Sequence, residues 1–254
     1  MATDEAVLAG RSQGFSPPTL RLYEWNPPTL SIGCFQNTNH NIIESCLSEG
    51  IPFVRRITGG RAVLHGDEIT YSIICSENER LFAEGISGGY RIISGCLLEA
   101  LKEIGVKAKM QDARCNSLFN TGQDANGHGK ISCFHSPSRY EIIIDNKKLV
   151  GSAQRRFKRT FLQHGSILFG VDRELVLRLF GKESLSRMAW VGLYSNVKKD
   201  AFKTILTEKI KKGLNINLTM GGLNPYEVSL RDKLIEERYK TNMWNMHNFV
   251  GFGS

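Results

Sequence analysis

Apolar and polar residues alternate at period two over several short stretches of this chain, and near period 3.6 over a few longer ones. The clearest helix covers residues 87–104, where Tyr90, Ile93, Leu97, Leu101 and Ile104 share one face and Gly105 can end it. A second amphipathic helix covers 196–212, with Val197, Phe202, Ile205, Leu206 and Ile210 inward. Residues 4–11 read as a helix. Asn39 or Asn41 can cap one that ends at Gly50, Asp172 one that reaches Leu179, and Asn224-Pro225 opens one that reaches about Tyr239. Strands are expected over 20–25, 30–36, 51–56, 106–110, 161–169 and 215–220, and a hairpin over 139–145 and 148–155, closed at Asn146-Lys147. Residues 114–130 are rich in Asn, Gly, Ser and Asp without periodicity, and read as a long loop of the kind that is often functional. The order helix, strands, helix, strands, helices predicts an α+β fold with mixed, largely antiparallel sheets flanked by helices, not a doubly wound parallel sheet. Neither a repeat nor a linker divides residues 1–254, so one domain is expected, with 216–254 as a C-terminal helical extension.

Residues 55–72 carry the densest polar pattern. They read as strand, glycine turn, strand, turn, strand. Gly59-Gly60 can take backbone angles closed to other residues and lets a ligand approach the main chain. Arg55 and Arg56 precede the turn, Arg61 follows it, and His65 lies a little further on. On Gly59-Gly60 alone this is a hairpin with solvated arginines. So many polar residues inside alternating strands favour a loop that holds a carboxylate, phosphate or carbonyl oxygen.

Composition narrows the class. The chain is 41% hydrophobic and 23% charged, ordinary for a soluble globular protein, and no stretch reaches the length of a membrane span. The acidic start, Met1-Ala2-Thr3-Asp4-Glu5, is not a secretory signal, so a cytoplasmic location is expected. Six cysteines, at 34, 46, 75, 96, 115 and 133, include no Cys-x-x-Cys pair, and no metal site is expected. Cys46, Cys75 and Cys96 lie among apolar residues and read as small core hydrophobes. The net charge of +8 is partly concentrated at 155–159 and 209–212. With no nucleic-acid motif present, an acidic protein partner suits these runs better than nucleic acid.

A second constellation runs from Cys133 through Lys148-Leu149-Val150-Gly151-Ser152-Ala153 to His164-Gly165. Cys133 ends the long loop. Lys148 sits beside the hairpin turn, where a lysine is expected to contribute little to stability. Gly151, Ser152 and Ala153 permit close approach of a substrate. A thiol with an ordinary pKa of about 8.5 gains thiolate character beside an ammonium, and a thiolate can attack a thioester and hold the acyl group covalently. A lysine can then serve proton transfer as an acceptor amine attacks. Taken singly, Cys133 reads as an inert loop cysteine, Lys148 as a surface lysine and His164 as a core histidine. Their joint occurrence with Gly59-Gly60 favours an active site.

These stretches resemble the biotin/lipoate protein ligase superfamily. Residues 55–72 match its signature R-R-x-T-G-G-R-A-V-x-H-x-x-E-x-x-Y-S, and 148–153, with Leu149 in place of Ile, look like its K-I-x-G-S-A run. Cys133-Phe134 with Pro137-Ser138 and Glu141 is similar to the C-F-x-x-P-S-x-x-E run of one branch, the LipM-type octanoyltransferases, as are 17–33, 151–155, 162–166 and the tail at 238–245. The resemblance implies transfer of an octanoyl group from acyl carrier protein, through a thioester on Cys133, to a lysine of a lipoyl domain such as glycine-cleavage H protein, with no cofactor. It implies Lys148 as the polarising or acid–base residue. Arg56, Thr58, Gly59, Gly60, Arg61, His65, Gly151, Ser152, Ala153, His164 and Gly165 would then line the acyl site. Two departures stand out: family members usually carry a strand before the first helix, and His135 occupies a position where the family often has an acid or another polar residue. The alternative is an ATP-dependent lipoate–protein ligase working through an acyl-adenylate, which needs no cysteine. A biotin ligase fits less well, because Gly59-Gly60-Arg61-Ala62 does not resemble that family's Gly-Arg-Gly-Arg loop, and a non-enzymatic binding module leaves Cys133 and Lys148 unexplained.

Overall fold

The computed structural model describes the backbone of residues 1–37, 40–77, 79, 85–111 and 140–246, and the side chains of these except 40, 41 and 85–87. Strands β1 (Thr19–Tyr23), β5 (Glu68–Ser76), β9 (Thr160–Leu168), β8 (Lys147–Phe157), β7 (Ile142–Ile144) and β6 (Lys109–Met110) form a six-stranded sheet in that order. Every neighbouring pair in it is antiparallel. A smaller sheet has β2 (Thr29–Ile32) between β3 (Phe53–Arg55) and β4 (Val63–His65). β2 runs parallel to β3 and antiparallel to β4. The parallel pair needs a crossover, and helix α2 (His40–Ser48) supplies it.

One face of the large sheet is apolar at every second position. Ile69, Tyr71, Ile73 and Cys75 of β5 pack with Ile93, Leu97 and Leu101 of helix α3 (Gly85–Glu103) and Phe202, Leu206 and Ile210 of α5 (Lys199–Leu214). Each fully buried Ile, Leu or Phe contributes ~2 kcal/mol of hydrophobic stabilisation. The two helices touch at Gly213, where an added Cβ would lie 2.4 Å from the Cys96 sulfur.

The opposite face carries Glu68, Thr70, Ser72, His164 and Ser166, all buried. At one end of it, Ile74 and Leu162 pack under Val7 and Leu8 of helix α1 (Ala2–Ser12). The polar residues lie between the two sheets. Helix α4 (Arg173–Ser186) packs on α2. Helix α6 (Pro225–Leu234) packs on α1, and α7 (Asn242–Met246) packs on β3.

The expected α+β architecture is present, and Cys46, Cys75 and Cys96 are buried as expected. Several boundaries differ for local reasons. The hairpin turns one residue earlier than expected, at Asp145 and Asn146, whose φ of 50° and 59° suit a two-residue turn. Residues 216–220 form no strand, because Asn215 adopts a left-handed φ of 51° that ends α5 and leads into irregular chain. The expected strand over 106–110 shrinks to Lys109–Met110. Asn224 closes a capping box with Glu227, but α6 passes into a π-helical turn, Ile235–Tyr239, before α7. The expected loop at 114–130 lies outside the described residues. Among the described residues, no helix is long and apolar enough to cross a membrane.

Candidate active site

The two signature arginines bind the protein's own backbone. Arg56 donates to Ser31 Oγ (3.1 Å) and, with its other terminal nitrogen, to the carbonyls of Gly59 and Arg61 (both 2.8 Å), clamping the Gly59-Gly60 turn from inside. Gly60 has φ +94°, and a Cβ there would lie 2.9 Å from the Arg56 guanidinium. A Cβ on Gly33 would lie 1.9 Å from Gly60 O, so the loop after β2 and the Gly59-Gly60 turn touch backbone to backbone. Arg55 is fully buried and donates to the carbonyls of Gly33, Gln36, Trp244 and Asn245.

Between the sheets lies a cleft of about 340 Å³, including space open to solvent. Of the residues singled out in the sequence, Arg56, His65, Gly151, Ser152, Ala153, His164 and Gly165 line it. Thr58, Gly59, Gly60, Arg61 and Lys148 do not. Met1, Ser31, Val63, Thr70 and Ser166 complete its wall, and sequence reading assigned none of them a role. For Ser31, Thr70 and Ser166 the signal is a polar residue inside an otherwise apolar strand, as in Leu30-Ser31-Ile32 or Ile69-Thr70-Tyr71, whereas Val63 carries no such mark. Gly165 sits where β5, β8 and β9 are tightest. A Cβ there would lie 2.6 Å from Gly151 O and 2.7 Å from a Tyr71 ring carbon.

Two histidines stand in this wall, each backed by an acid and each bound at Nε2 to a hydroxyl. His65 Nε2 is 2.7 Å from Ser31 Oγ, and its Nδ1 is 2.8 Å from Glu68 Oε1. The same carboxylate oxygen accepts from Thr70 (2.5 Å) and Ser166 (2.8 Å). The His65 ring stacks on Trp25 at 4.1 Å, and Trp25 Nε1 donates to Thr70 Oγ1. The contacts to Glu68 all fall on Oε1, while Glu68 Oε2 is buried with no hydrogen-bond partner among the described residues. His164 Nε2 is 2.7 Å from Thr58 Oγ1, and Nδ1 lies 3.8 Å from Asp4 Oδ2. Burial pushes the His164 pKa below its ordinary value, against the opposing pull of Asp4. Burial would raise the Asp4 carboxyl, but His164 and Arg21 beside it outweigh that and hold it well below the usual carboxylate range. Burial raises the Tyr71 hydroxyl to about 12, where it stays protonated between Ser152 Oγ (2.7 Å) and Gln163 Nε2 (2.9 Å).

Lys148 is not the surface lysine that its place beside a hairpin suggests. It is 2% exposed, and its Nζ donates to Glu141 Oε1 at 2.5 Å. The reason lies in the register. Ile142 pairs with Val150 but Ile143 pairs with Lys148, so Leu149 is an extra residue, a β-bulge. Simple alternation would put Lys148 on the Val150 side, toward α3. The bulge turns it to the face that carries Gly151, Ala153 and, across β9, His164. Cys133 and His135 lie outside the described residues. Among the described residues, no group of His, Cys, Asp and Glu could hold a metal ion.

The site is thus a narrow cleft with small residues along one wall, two acid-backed imidazoles, and a buried lysine–glutamate pair on the same sheet face. This chain belongs to the lipoyl protein ligase A/B catalytic-domain family, whose model matches residues 1–211. It is 38% identical to the octanoyltransferase LipM of Brevibacillus brevis, over 97% of this chain and 93% of that protein. It is 35% identical to the octanoyltransferase LipM of Bacillus subtilis, over 96% and 92%. In fold it is similar to a lipoate-protein ligase A bound with ATP, with TM-score 0.79 and 23% identity over 98% of this chain and 93% of that one.

Proposed function

We propose that this chain is an octanoyltransferase of lipoate biosynthesis, moving an octanoyl group from a thioester donor to a lysine of a lipoyl domain. The observation that carries this reading is sequence similarity to octanoyltransferases at 38% identity over nearly the whole chain. Octanoyl-acyl carrier protein is the donor, and a lipoyl domain such as glycine-cleavage H protein is the acceptor. A thioester donor is already activated, so transfer requires neither ATP nor metal. The cytoplasm, where both partners are made, is its place. The chain acts as one catalytic unit with 216–254 as a helical extension, a reading supported by α6 on α1 and α7 on β3.

The chemistry has two steps. The Cys133 thiol gives up its proton and attacks the donor carbonyl, a new C–S bond forms, the donor's C–S bond breaks, and the donor leaves as a thiol carrying the proton that Cys133 lost. The acceptor amine then attacks the Cys133 thioester, the C–S bond breaks, and one amine proton goes to the departing thiolate. The Lys148 ammonium, fixed by Glu141, is suited to polarise the carbonyl. An ammonium paired with a carboxylate has no lone pair with which to act as a base. Gly151 and Ala153, small residues on the cleft face of β8, leave room for an unbranched acyl chain.

Intact mass spectrometry tests this directly. Wild type mixed with octanoyl carrier protein, without ATP, should gain one acyl group and lose it when lipoyl domain is added, while Cys133→Ala should gain none. Transfer by Cys133→Ala at the wild-type rate, or activity only with free octanoate, ATP and magnesium, would make the chain a ligase instead.

A further inference from the structure

We infer that the tip of the β8–β9 hairpin, with the exposed ring of Phe35, is the docking surface for an acidic carrier protein that presents the acyl donor on a long flexible arm. The inference rests on the acyl-transfer reading and adds the place where the donor binds. β8 and β9 form one wall of the cleft at Gly151, Ala153 and His164 and run on together to a tip. Phe157 pairs with Thr160, leaving Lys158 and Arg159 as a two-residue turn. Lys158 takes φ 53° there, a conformation that favours Gly or Asn, so a cation stands where turn chemistry alone would not select one.

Charge sets this tip apart from the other basic run. On α5, Lys199, Lys203, Lys209 and Lys211 are each paired with an acid, and of that helix's lysines Lys212 alone is exposed with no acid partner among the described residues. At the hairpin, Arg156, Lys158 and Arg159 are exposed. Arg156 reaches Glu77 at a long 3.4 Å, the neighbouring Glu79 is taken by Arg11, and Lys158 and Arg159 have no carboxylate partner among the described residues. Phe35 is 74% exposed. A Cβ on Gly59 would lie 3.9 Å from its ring, and Arg155 donates to Ile57 O at 2.6 Å, so ring and hairpin flank the same turn. An aromatic centre with a cationic rim suits an acidic protein surface.

Reach decides between donor and acceptor. Phe157 is the fourth residue after Ala153, so the tip begins about 13 Å beyond the cleft wall at 3.3 Å per residue. An acceptor lysine extends only about 6 Å over its five bonds beyond Cα, so its domain must sit at the cleft mouth. A donor thioester on a prosthetic arm spans the longer distance.

The test compares two donors on the full chain, octanoyl carrier protein and octanoyl-pantetheine. Combined Arg156→Glu, Lys158→Glu and Arg159→Glu should lower kcat/KM for the carrier donor roughly tenfold or more and flatten its salt dependence. Loading from octanoyl-pantetheine, and transfer from preloaded enzyme to lipoyl domain, should not change. Phe35→Ser should show the same selectivity with a smaller loss. Unchanged use of the carrier donor, a loss that falls on the acceptor step, or an equal loss with octanoyl-pantetheine each overturns the docking surface. A wild type that octanoyl-pantetheine cannot acylate overturns the transfer reading instead.

Discussion

Lysine 148 shows how one residue's surroundings set what its loss should do. A lysine two residues from a hairpin turn is ordinarily dispensable to the fold, but this one is buried against Glu141. Removing one member of a buried pair typically costs about 3–5 kcal/mol. Lys148→Ala should therefore lower the urea midpoint by an equivalent amount as well as abolish transfer. A variant with wild-type stability would show that the pair adds nothing to the fold. His164 gives a pH prediction. Its folded pKa lies below its ordinary value of 6.5, so below that pH the unfolded chain binds a proton that the native chain resists. Stability from this residue is complete above about pH 6.5 and falls as pH drops toward the folded pKa. Asp4, also depressed, adds a loss of the same sign at lower pH. The His164→Gln variant should lose less stability than wild type between pH 7 and pH 5 in chemical denaturation, and parallel curves would remove His164 from the acid response. Cleft residues such as His65 and Gly151 were legible in the sequence because they interrupt strand patterns with polar or very small side chains. The burial of Lys148 was not, since it depends on a bulge at Leu149 that no local pattern marks.

The Gly59-Gly60 turn was the most legible element, although the partners of its arginines were not. The arginines around it suggested a ligand cradle. Arg56 does line the cleft, and both Arg55 and Arg56 also satisfy backbone carbonyls that two adjoining loops leave without ladder partners. Sequence marks arginines but not the carbonyls they find, which come from residues such as Gly33 and Trp244, far away along the chain. The same limit explains the missing strand after α5, where the αL cap at Asn215 overrode an alternating pattern with no neighbouring strand to pair. The contact of Gly33 with Gly60 yields a test. With Gly60 O 1.9 Å from an added Cβ, Gly33→Ala must push the turn away from β2. Displacement of about 1 Å near a reacting group can cost roughly 100-fold in rate. Gly33→Ala should lose about that much kcat/KM, with the defect present even with octanoyl-pantetheine. A variant with wild-type kcat/KM would show that the turn's position does not govern the chemistry.

Residues after 211 lie beyond the span that defines the family, yet they complete the fold around the signature. Trp244 is 3% exposed and donates from Nε1 to Arg55 O at 2.7 Å, while its own carbonyl accepts from Arg55 Nε. Asn245 Oδ1 accepts from Arg55 N, and Asn245 O from the guanidinium. Arg238 stacks over the Trp244 ring at 4.8 Å and pairs with Glu5 of α1, which also accepts from Tyr239. Helix α7 thus joins β3, which leads into the Gly59-Gly60 turn, to α1, which lies on the cleft side of the large sheet. Without α7, a fully buried guanidinium and one edge of β3 lose their partners together, and buried donors without acceptors cost about 1–3 kcal/mol each. Trp244→Ala alone should cost about 3–5 kcal/mol, the usual range for a buried tryptophan. Deleting residues 242–254 should cost more, lower acyl loading, and expose amides of 53–60 to hydrogen exchange before those of β5 and β9. Asn245→Ala should show the same exchange pattern with a smaller loss of stability. If the truncated chain keeps the wild-type urea midpoint and the protection of 53–60, the tail is a surface appendage and Arg55 is held by the loop after β2 alone.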